Sequence, residues 1–404
     1  MLSEKALVLD MVVEDVYTTI LHFPVSHYIS GWNLVNRTWH ILVFVKTEDG
    51  TIGIGEGTPY WSSVYEDYRE TLRLSKMINK QPLDKALTLL KTDESEKFRG
   101  NGRVNYGAFL ALESALLDAS SKISRKAIAD LLGGVYRVEI PIAGTVFLKH
   151  SSKMAEEIEN YIRKGVRHVK FKIPPSLTEL EVVLRNIKDV IQRIGVDVVL
   201  RADANECFKN FDKAYRALKL MENYNISIVE QPMPRYNLRE MSKLRKAFSP
   251  TVKIMIDESL KKPDDIEVLS SLEAADVINF HPSKLGCLAI TRETMLAAKK
   301  QGFEVQIGSA LMTEIGLTHY LNLAASLPSL DHPLEEIGLI NLYGYSVICN
   351  SEKHLIKNGK IQLLYNTQSL QINIDNIKRH QLSKNHYLLQ LLLSELKYVT
   401  NIIK

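Results

Sequence analysis

Residues 196–232 read VDVVLRADANECFKNFDKAYRALKLMENYNISIVEQP and contain one strand–helix–strand unit. The apolar run before Asp203 is rich in β-branched residues, which favours a buried strand. The segment 210–224 carries its apolar residues at helical spacing, and a second β-branched run then ends at Glu230. Two strands separated by one helix predict a right-handed βαβ unit on a parallel sheet.

The same alternation extends in both directions from this unit. The runs VRHVKFKI, VKIMIDES, ADVINFHP and FEVQIGS are each followed by a helical stretch, and RVEIPIAGTV and LEEIGLINLY bring the candidate strands to eight. Eight such units predict a closed (β/α)8 TIM-type barrel over residues 136–345. An open doubly wound sheet is the structural alternative.

The flanking segments have a different pattern. In residues 1–135, the stretch WHILVFVKTEDGTIGIGEG predicts a β-hairpin that turns at Asp49-Gly50, and a helical region follows. The GIGEG motif follows a hairpin and not a βα turn, which disfavours a dinucleotide-binding loop. Residues 346–404 return to β-like sequence and end in a leucine-rich stretch, 387–404, which we expect to form a helix on the body of the protein or on a partner subunit.

Composition excludes several classes of protein. The chain has 404 residues, 45% of them hydrophobic, and a net charge of +4 without a basic block, so we expect neither nucleic acid nor membrane as a partner. Its three cysteines are scattered, at Cys207, Cys287 and Cys349, which argues against a disulfide framework. The acidic residues in the N-terminal apolar run disfavour a signal peptide, and we expect a cytoplasmic protein.

Three consecutive candidate strands end in carboxylates. Asp203, Glu230 and Asp257 are separated by equal intervals, 230 − 203 = 27 and 257 − 230 = 27 residues. Since catalytic groups of a barrel lie at the carboxyl ends of its strands, the three side chains are expected at one height in the mouth. A single carboxylate at a strand end would indicate a helix cap or a surface charge. Three carboxylates close together repel one another unless a cation compensates their charge. Oxygen ligands of this kind predict a bound Mg2+, with Mn2+ as an alternative.

A lysine pair precedes these carboxylates. Lys170 and Lys172 share one face of the second strand because side chains alternate along it. Neighbouring positive charge is expected to lower a lysine pKa from about 10.4 to roughly 7–8, where the amine can act as a general base. A Schiff-base lysine is the competing interpretation, but it does not explain the carboxylates. A lysine base beside a cation suits abstraction of the proton α to a carboxylate through an enediolate.

With these residues the chain resembles the enolase superfamily, and within it the muconate-lactonizing (muconate cycloisomerase) subgroup. GIGEG, ALESALLDASSK and ADLLGG resemble the capping domain and its junction with the barrel, whereas KFK, DAN, EQP and DES resemble the lysine pair and the metal-ligand strand ends. The resemblance implies a modified, enolase-like barrel with an α+β capping domain formed by residues 1–135 and the C-terminal segment. It implies a small carboxylate substrate and a homo-oligomer.

The resemblance also implies roles for single residues. Lys172 is the expected base, and Lys170 its orienting neighbour. The expected Mg2+ ligands are Asp203, Glu230 and Asp257. Asn205 is expected to support this ligand shell and to contact the substrate.

The sixth and seventh strands depart from the subgroup. A second catalytic lysine is expected at the end of the sixth strand, but INFHPSKLG places His281 there and Lys284 three residues later. On the seventh strand Met312 stands in the usual acidic position and Glu314 two residues on. We therefore count His281 with the catalytic residues, and Lys284 and Glu314 with the substrate-binding ones. The acidic motif usual on the eighth strand is not obvious in LDHPLEEIGL.

The expected activity is a Mg2+-dependent isomerase of cycloisomerase, racemase or epimerase type, and these departures leave the exact reaction open. Lys172 and His281 could act on opposite faces of the α-carbon, as in racemisation or epimerisation, since histidine titrates near ~6.5. His281 could equally protonate a leaving hydroxyl in a hydroxy-acid or acid-sugar dehydratase, or only bind substrate. A catalytically altered binding protein is the non-enzymatic alternative. Substrate specificity is expected from residues 21–33 and 58–67, which are rich in Tyr, Trp and His.

Overall fold

A computed structural model describes residues 10–30, 33–60, 62–99, 105–336 and 338–381 of the chain. The predicted leucine-rich helix at 387–404 lies outside these residues. Within the described ranges, no helix has both the length and the apolar character needed to cross a bilayer.

The N-terminal region is an antiparallel sheet covered by helices. Its three strands pair in chain order, and the second and third form the predicted hairpin, with Gly50 in its turn at φ 83°. The elements are β1 (Val13–Ser30), β2 (Asn33–Thr47), β3 (Ile52–Gly57), α1 (Val64–Ile78), α2 (Leu83–Arg99), α3 (Tyr106–Ser124) and α4 (Ile128–Leu132).

The glycines of GIGEG are packing residues. A Cβ added at Gly53, Gly55 or Gly57 would lie 2.1, 2.1 or 1.8 Å from a carbonyl oxygen of α3. Strand β3 can therefore rest directly on α3 only because these positions lack a side chain. This contact accounts for the motif without a phosphate ligand.

Eight parallel strands form the second region, and each is followed by a helical segment. Their spatial order around the sheet is β4 to β10 in sequence, with β11 beside β4. The strands are β4 (Glu139–Val146), β5 (His168–Lys172), β6 (Val199–Asp203), β7 (Ile228–Glu230), β8 (Lys253–Ile256), β9 (Val277–Phe280), β10 (Glu304–Ile307) and β11 (Leu334–Glu335). The helices are α5 (Ser151–Arg163), α6 (Leu177–Ile194), α7 (Phe211–Asn223), α8 (Leu238–Phe248), α9 (Asp265–Ser271), α10 (Pro282–Leu285), α11 (Leu288–Lys300), α12 (Glu314–Ser326) and α13 (Leu339–Tyr343).

Side-chain hydrogen bonds join the two ends of this sheet. The amide of Val305 on β10 donates to Asp331 Oδ2 at 2.9 Å, and Gln306 Nε2 donates to the carbonyl of Pro333 at 2.9 Å, both just before β11. A parallel bridge between Met312 and Gly338 follows. The predicted modified barrel with an additional α+β region is confirmed.

The eighth strand is shorter than predicted. Only Leu334–Glu335 pairs with β4, and LINLY of the predicted strand is helix α13. The amide of Gly338 donates to Glu336 Oε1 at 2.5 Å, and the amide of Leu339 donates to Met312 O at 2.8 Å. These bonds turn the chain out of the sheet and begin the helix.

The C-terminal segment contacts both regions. Strand β12 (Lys360–Gln362) pairs antiparallel with β4, whereas Gln381 at the end of α14 (Ile374–His380) forms a bridge with Leu21 of β1. These contacts are consistent with the domain boundaries proposed from the sequence, 1–135, 136–345 and 346–404, which remain a proposal.

Glu56 of GIGEG ties the N-terminal sheet to the barrel. Its buried carboxylate accepts hydrogen bonds from His40 Nδ1 at 2.8 Å, from the amide of Thr313 at 2.9 Å and from the amide of Gly316 at 2.8 Å. Burial opposes ionisation, but the bonds from His40 and Thr313 outweigh it and lower the pKa of Glu56. The N-terminus of α12 is thus held by a carboxylate from the other region.

We predict that Glu56→Ala lowers the free energy of unfolding by about 3 kcal/mol, because it leaves several buried donors without an acceptor. Urea denaturation followed by circular dichroism measures the change. Glu48→Ala, an exposed glutamate in the same hairpin, is the matched control, expected to stay within about 0.5 kcal/mol. An equal effect of the two substitutions would contradict this role of Glu56.

Candidate active site

A cavity of about 730 Å3 lies between the carboxyl ends of the barrel strands and the N-terminal region. The barrel side contributes Lys170, Lys172, Asp203, Asn205, Asp257, Glu258, His281 and Glu335. The N-terminal side contributes residues 58–60 and 62–65, so most of the predicted loop 58–67 lines it. The other predicted loop, 21–33, is part of β1 and lies partly outside the described residues; Arg37, Thr38 and Trp39 of β2 line the cavity instead.

Lys172 is held by two neighbours in the mouth of the barrel. Its Nζ donates to Asp203 Oδ2 at 3.0 Å and to Asn205 Oδ1 at 2.5 Å. Strand β5 aligns Lys172 with Asp203 on β6, which explains why the two side chains meet. Asn205 has a left-handed backbone (φ 40°), and its amide donates to Asp203 Oδ1 at 3.0 Å. Asn205 therefore connects the predicted base to the predicted ligand.

Lys170 lies one pleat deeper on the same face of β5. Its ammonium contacts Glu335 and lies 3.4 Å from Asp203 and 3.5 Å from Glu230. Burial disfavours the charge, but the carboxylates of Glu230, Glu335 and Asp203 outweigh it and raise the pKa of Lys170. The expectation of a lowered pKa for this lysine is therefore wrong, because carboxylates surround it more closely than other cations do.

Two of the three predicted ligands, Glu230 and Asp257, lie close together at the base of the cavity. Glu230 is fully buried; its Oε1 accepts from Asn279 Nδ2 at 2.8 Å, and its Oε2 has no hydrogen-bond partner within the described residues. Burial and the charge of Asp203 raise the pKa of Glu230 to about 7. Burial also acts on Asp257, but the Lys284 ammonium and His281 outweigh it and lower the pKa of Asp257.

Among the described residues, Glu230, Asp257 and His281 place one ligand atom each within 4.8 Å of one another. Asp203 is not part of this group and contacts both lysines, but it is close enough for its charge to act on Glu230. The Oε2 atom of Glu230 has Lys170 and Arg201 only at 3.5 and 3.4 Å, too far for good hydrogen bonds. Burial and the charge of Asp257 raise the pKa of Glu258. Both observations indicate more buried negative charge than the nearby cations compensate. A divalent cation therefore fits this donor set.

His281 follows β9 and is buried in the wall of the cavity. Its Nε2 lies 3.0 Å from Asp257 Oδ1, and its ring packs 5.7 Å from the ring of Tyr60. A Cβ at Gly308, just after β10, would lie 2.3 Å from Nε2, so the ring requires a glycine there. Burial and the Lys284 ammonium lower the pKa of His281, which favours the neutral imidazole.

Lys284 and Glu314 do not line the cavity, although both were predicted to bind substrate. Lys284 is fully buried beneath Asp257; it contacts that carboxylate and donates to its main-chain oxygen at 3.0 Å. Glu314 is buried at the start of α12, where it accepts a hydrogen bond from the amide of Val347 at 3.2 Å. Direct substrate contact by either residue is not supported by these positions.

Glu335, at the end of β11, is a site residue that the sequence pattern did not predict. This carboxylate lines the cavity, accepts from Thr145 Oγ1 at 2.9 Å and pairs with Lys170. The rule that found Asp203 and Glu230, a carboxylate at a strand end, applies equally to LEEIGL. Glu335 does not stand at a strand end in the predicted topology, because the predicted strand continues through LINLY.

The chain matches two family descriptions. Residues 16–133 match "Mandelate racemase / muconate lactonizing enzyme, N-terminal domain", and residues 153–364 match "Enolase C-terminal domain-like". These matches cover most of the N-terminal region and the barrel from α5 onward.

Similar proteins include isomerases of two kinds. The chain is 27% identical over 296 residues to the N-succinyl-L-Arg/Lys racemase of Bacillus cereus, covering 71% of this chain and 76% of that protein. It is 27% identical over 345 residues to a chloromuconate cycloisomerase of Pseudomonas sp. strain P51, covering 81% and 88%. The crystal structure of N-succinyl Arg/Lys racemase from B. cereus has a similar fold, with a TM-score of 0.80 and 22% identity over 92% of this chain and 99% of that one.

We predict that the protein binds one Mg2+ or Mn2+ at this cluster, and that binding weakens as the pH falls through about 7. The sign follows because Glu230 must lose its proton to act as a ligand, and its pKa is about 7. Titration calorimetry at pH 6 and pH 8 measures the affinity. Glu230→Gln should reduce it at least about tenfold and flatten the pH dependence.

Glu206→Gln is the matched control for this titration. Glu206 also lines the cavity, but it is paired with Arg235 at 2.5 Å and is outside the cluster. Glu206→Gln should leave the cation affinity within about twofold of the wild-type value. Equal losses for the two substitutions, or none for Glu230→Gln, would remove the basis for a site at the cluster.

Proposed function

The chain belongs to the enolase superfamily as a relative of the muconate-lactonizing enzymes. We propose that it is a Mg2+-dependent isomerase that removes and returns the proton on the carbon α to a substrate carboxylate. Its relatives are named racemase, epimerase and cycloisomerase, which supports an isomerase of this superfamily. Among these activities we propose racemisation or epimerisation of a small carboxylate.

One observation carries the choice of reaction. Lys172 ends β5 and His281 follows β9, and these strands are four positions apart in either direction around the eight-stranded barrel. The two proton-transfer groups therefore stand on opposite sides of the mouth. A carbon held between them can lose its proton to one group and receive one from the other, which inverts its configuration.

The proposed base is Lys172, positioned by its bonds to Asp203 and Asn205. Lys170, whose pKa is raised, stays charged and provides a fixed positive charge beneath the substrate carboxylate. The lowered pKa of His281 favours the neutral imidazole, which can take the α-proton from the opposite face while the Lys172 ammonium delivers a proton to the first face. In the reverse direction a neutral Lys172 takes the proton and a protonated His281 delivers one.

We propose that Glu230 and Asp257 of the cluster hold the cation together with the neighbouring Asp203, and that Asn205 supports Asp203. His281, the third member of the cluster, is assigned to proton transfer. A bound Mg2+ neutralises the substrate carboxylate and stabilises the negative charge that develops when the α-proton leaves. Lys284 acts as a positioning residue, because its ammonium holds the carboxylate of Asp257 from below.

The proposed reaction is tested by deuterium exchange in D2O with Mg2+, using both enantiomers of a panel of N-acyl amino acids and dipeptides. The wild type should exchange the α-proton of both enantiomers of its substrate and interconvert them. His281→Gln should exchange the α-proton of one enantiomer without inversion, and Lys172→Ala should exchange that of the other enantiomer only. In each variant, exchange of the remaining enantiomer should fall about 10²–10⁴-fold. Proton NMR follows exchange, and chiral chromatography follows inversion.

Lys219→Ala, on the outer surface of α7, is the control and should match the wild type. Exchange of both enantiomers by His281→Gln would exclude His281 as the second proton-transfer group. Formation of a keto acid from hydroxy-acid substrates would instead favour the dehydratase alternative.

The cytoplasmic location and the homo-oligomeric state stay predictions.

A further inference from the structure

Two buried carboxyl groups lie outside the cavity lining, at the junction of the N-terminal region with the barrel. Glu94 of α2 is fully buried, and Glu113 of α3 is 4% exposed. Burial and the charge of Glu113 raise the pKa of Glu94 well above its ordinary value, and burial raises the pKa of Glu113 to about 7. Glu94 therefore keeps its proton at neutral pH. Burying two carboxyl groups close together is unfavourable unless they make hydrogen bonds, so their partners indicate what the pair does.

The partners of this pair are at the start of helix α11, in the barrel. The amide of Cys287 donates to Glu94 Oε1 at 3.3 Å and to Glu94 Oε2 at 3.4 Å. The amide of Leu288 donates to Glu113 Oε2, and the amide of Ala289 donates to Glu113 Oε1 at 3.3 Å. The Cys287 thiol hydrogen-bonds with both carboxyl groups. Since the first amides of a helix have no acceptor within the helix, Glu94 and Glu113 supply acceptors from the other region.

Glu94 also lies directly against the chain just before α11. Gly286 has a positive φ of 84°, and a Cβ added to it would lie 1.6 Å from Glu94 Oε1. Only a glycine allows the carboxyl group to approach the main chain so closely. The contact fixes the place where the chain turns into α11.

A short segment joins this contact to the proposed catalytic histidine. Residues 282–286 follow His281, and four of them form α10. The amide of Lys284 donates to the main-chain oxygen of His281 at 2.8 Å, and the amide of Gly286 donates to that of Pro282 at 2.7 Å. Because hydrogen bonds hold the segment along its length, a displacement at the start of α11 is carried back to His281.

We propose that Glu94 is a positioning residue for His281, because it anchors the segment that holds the imidazole on its side of the substrate. The proposal rests on the proposed function, which assigns proton transfer to His281. Lys172 is held separately, by Asp203 and Asn205. Glu94 therefore acts on one of the two proton-transfer groups and not on the other.

Exchange of the two enantiomers in D2O with Mg2+ tests the proposal. Glu94→Leu keeps the approximate volume of the side chain but removes the acceptor for the Cys287 amide. Exchange of the enantiomer whose proton His281 takes should fall at least about tenfold, because a misplacement of about 1 Å can cost about 10²-fold. Exchange of the enantiomer whose proton Lys172 takes should stay within about twofold of the wild type. Equal losses for both enantiomers, or no loss for either, would overturn the proposal.

Glu94→Gln is the rescue variant, because its amide has the shape of a neutral carboxyl group. It keeps an acceptor for the Cys287 amide, so both exchange rates should stay within about twofold of the wild type. A selective loss as large as that of Glu94→Leu would refute the role of this hydrogen bond.

Glu94→Asp provides the same test if Glu94→Leu does not fold. The shorter side chain withdraws the carboxyl group by about 1.5 Å, the length of one carbon–carbon bond. The enantiomer whose proton His281 takes should then lose exchange at least about threefold, and the other should not. Glu96→Asp, at an exposed glutamate of α2, is the matched control and should exchange both enantiomers like the wild type. Equal rates in these two variants would contradict the positioning role.

NMR signals of the histidine rings separate this proposal from the proposed function. The His281 signals, identified by their absence from His281→Gln, should shift in Glu94→Leu and Glu94→Asp. The signals of His168, at the amino end of β5, should not shift. Shifted His281 signals without any exchange by the wild type would refute the proposed reaction alone. Exchange by the wild type with unshifted His281 signals in both variants would refute the positioning role alone.

Discussion

The accumulation of charge at one end of the barrel is the constraint on which the site depends. Parallel strands bring their carboxyl ends to one edge, so Lys170, Lys172, Asp203, Glu230 and Glu335 are buried together. Burying such charges is unfavourable unless each is paired. The two lysines neutralise part of the negative charge. The raised pKa of Glu230 indicates the remaining charge, which we propose a divalent cation neutralises.

The N-terminal region contributes to the site through contacts far from the chemistry. The glycines of GIGEG allow β3 to lie against α3, and Glu56 of the same motif binds the start of α12. The first contact fixes the sheet on its own helix, and the second fixes the sheet on the barrel. Tyr60, beside His281, and Arg37, on the β2 wall, owe their positions in the cavity to this attachment.

The feature that separates this chain from the subgroup pattern is the environment of His281. A lysine at this position would add a cation beside Asp257, whereas the imidazole is neutral and Lys284 supplies that charge from below. Gly308 leaves room for the ring, because any side chain there would collide with it. Lys284 and Gly308 thus accommodate a histidine at the position where the subgroup has a lysine.

The sequence by itself determined the alternation of strands and helices and the strand-end residues Lys172, Asp203 and Glu230, because strand and helix periodicity and strand-end position are local properties of the chain. Only the tertiary structure decided that Lys284 lies beneath Asp257 and that Glu335 pairs with Lys170. It also decided that the eighth strand stops after two residues. Contacts between residues 27 or 165 positions apart, 284 − 257 and 335 − 170, depend on how separate elements pack. No local pattern encodes that packing.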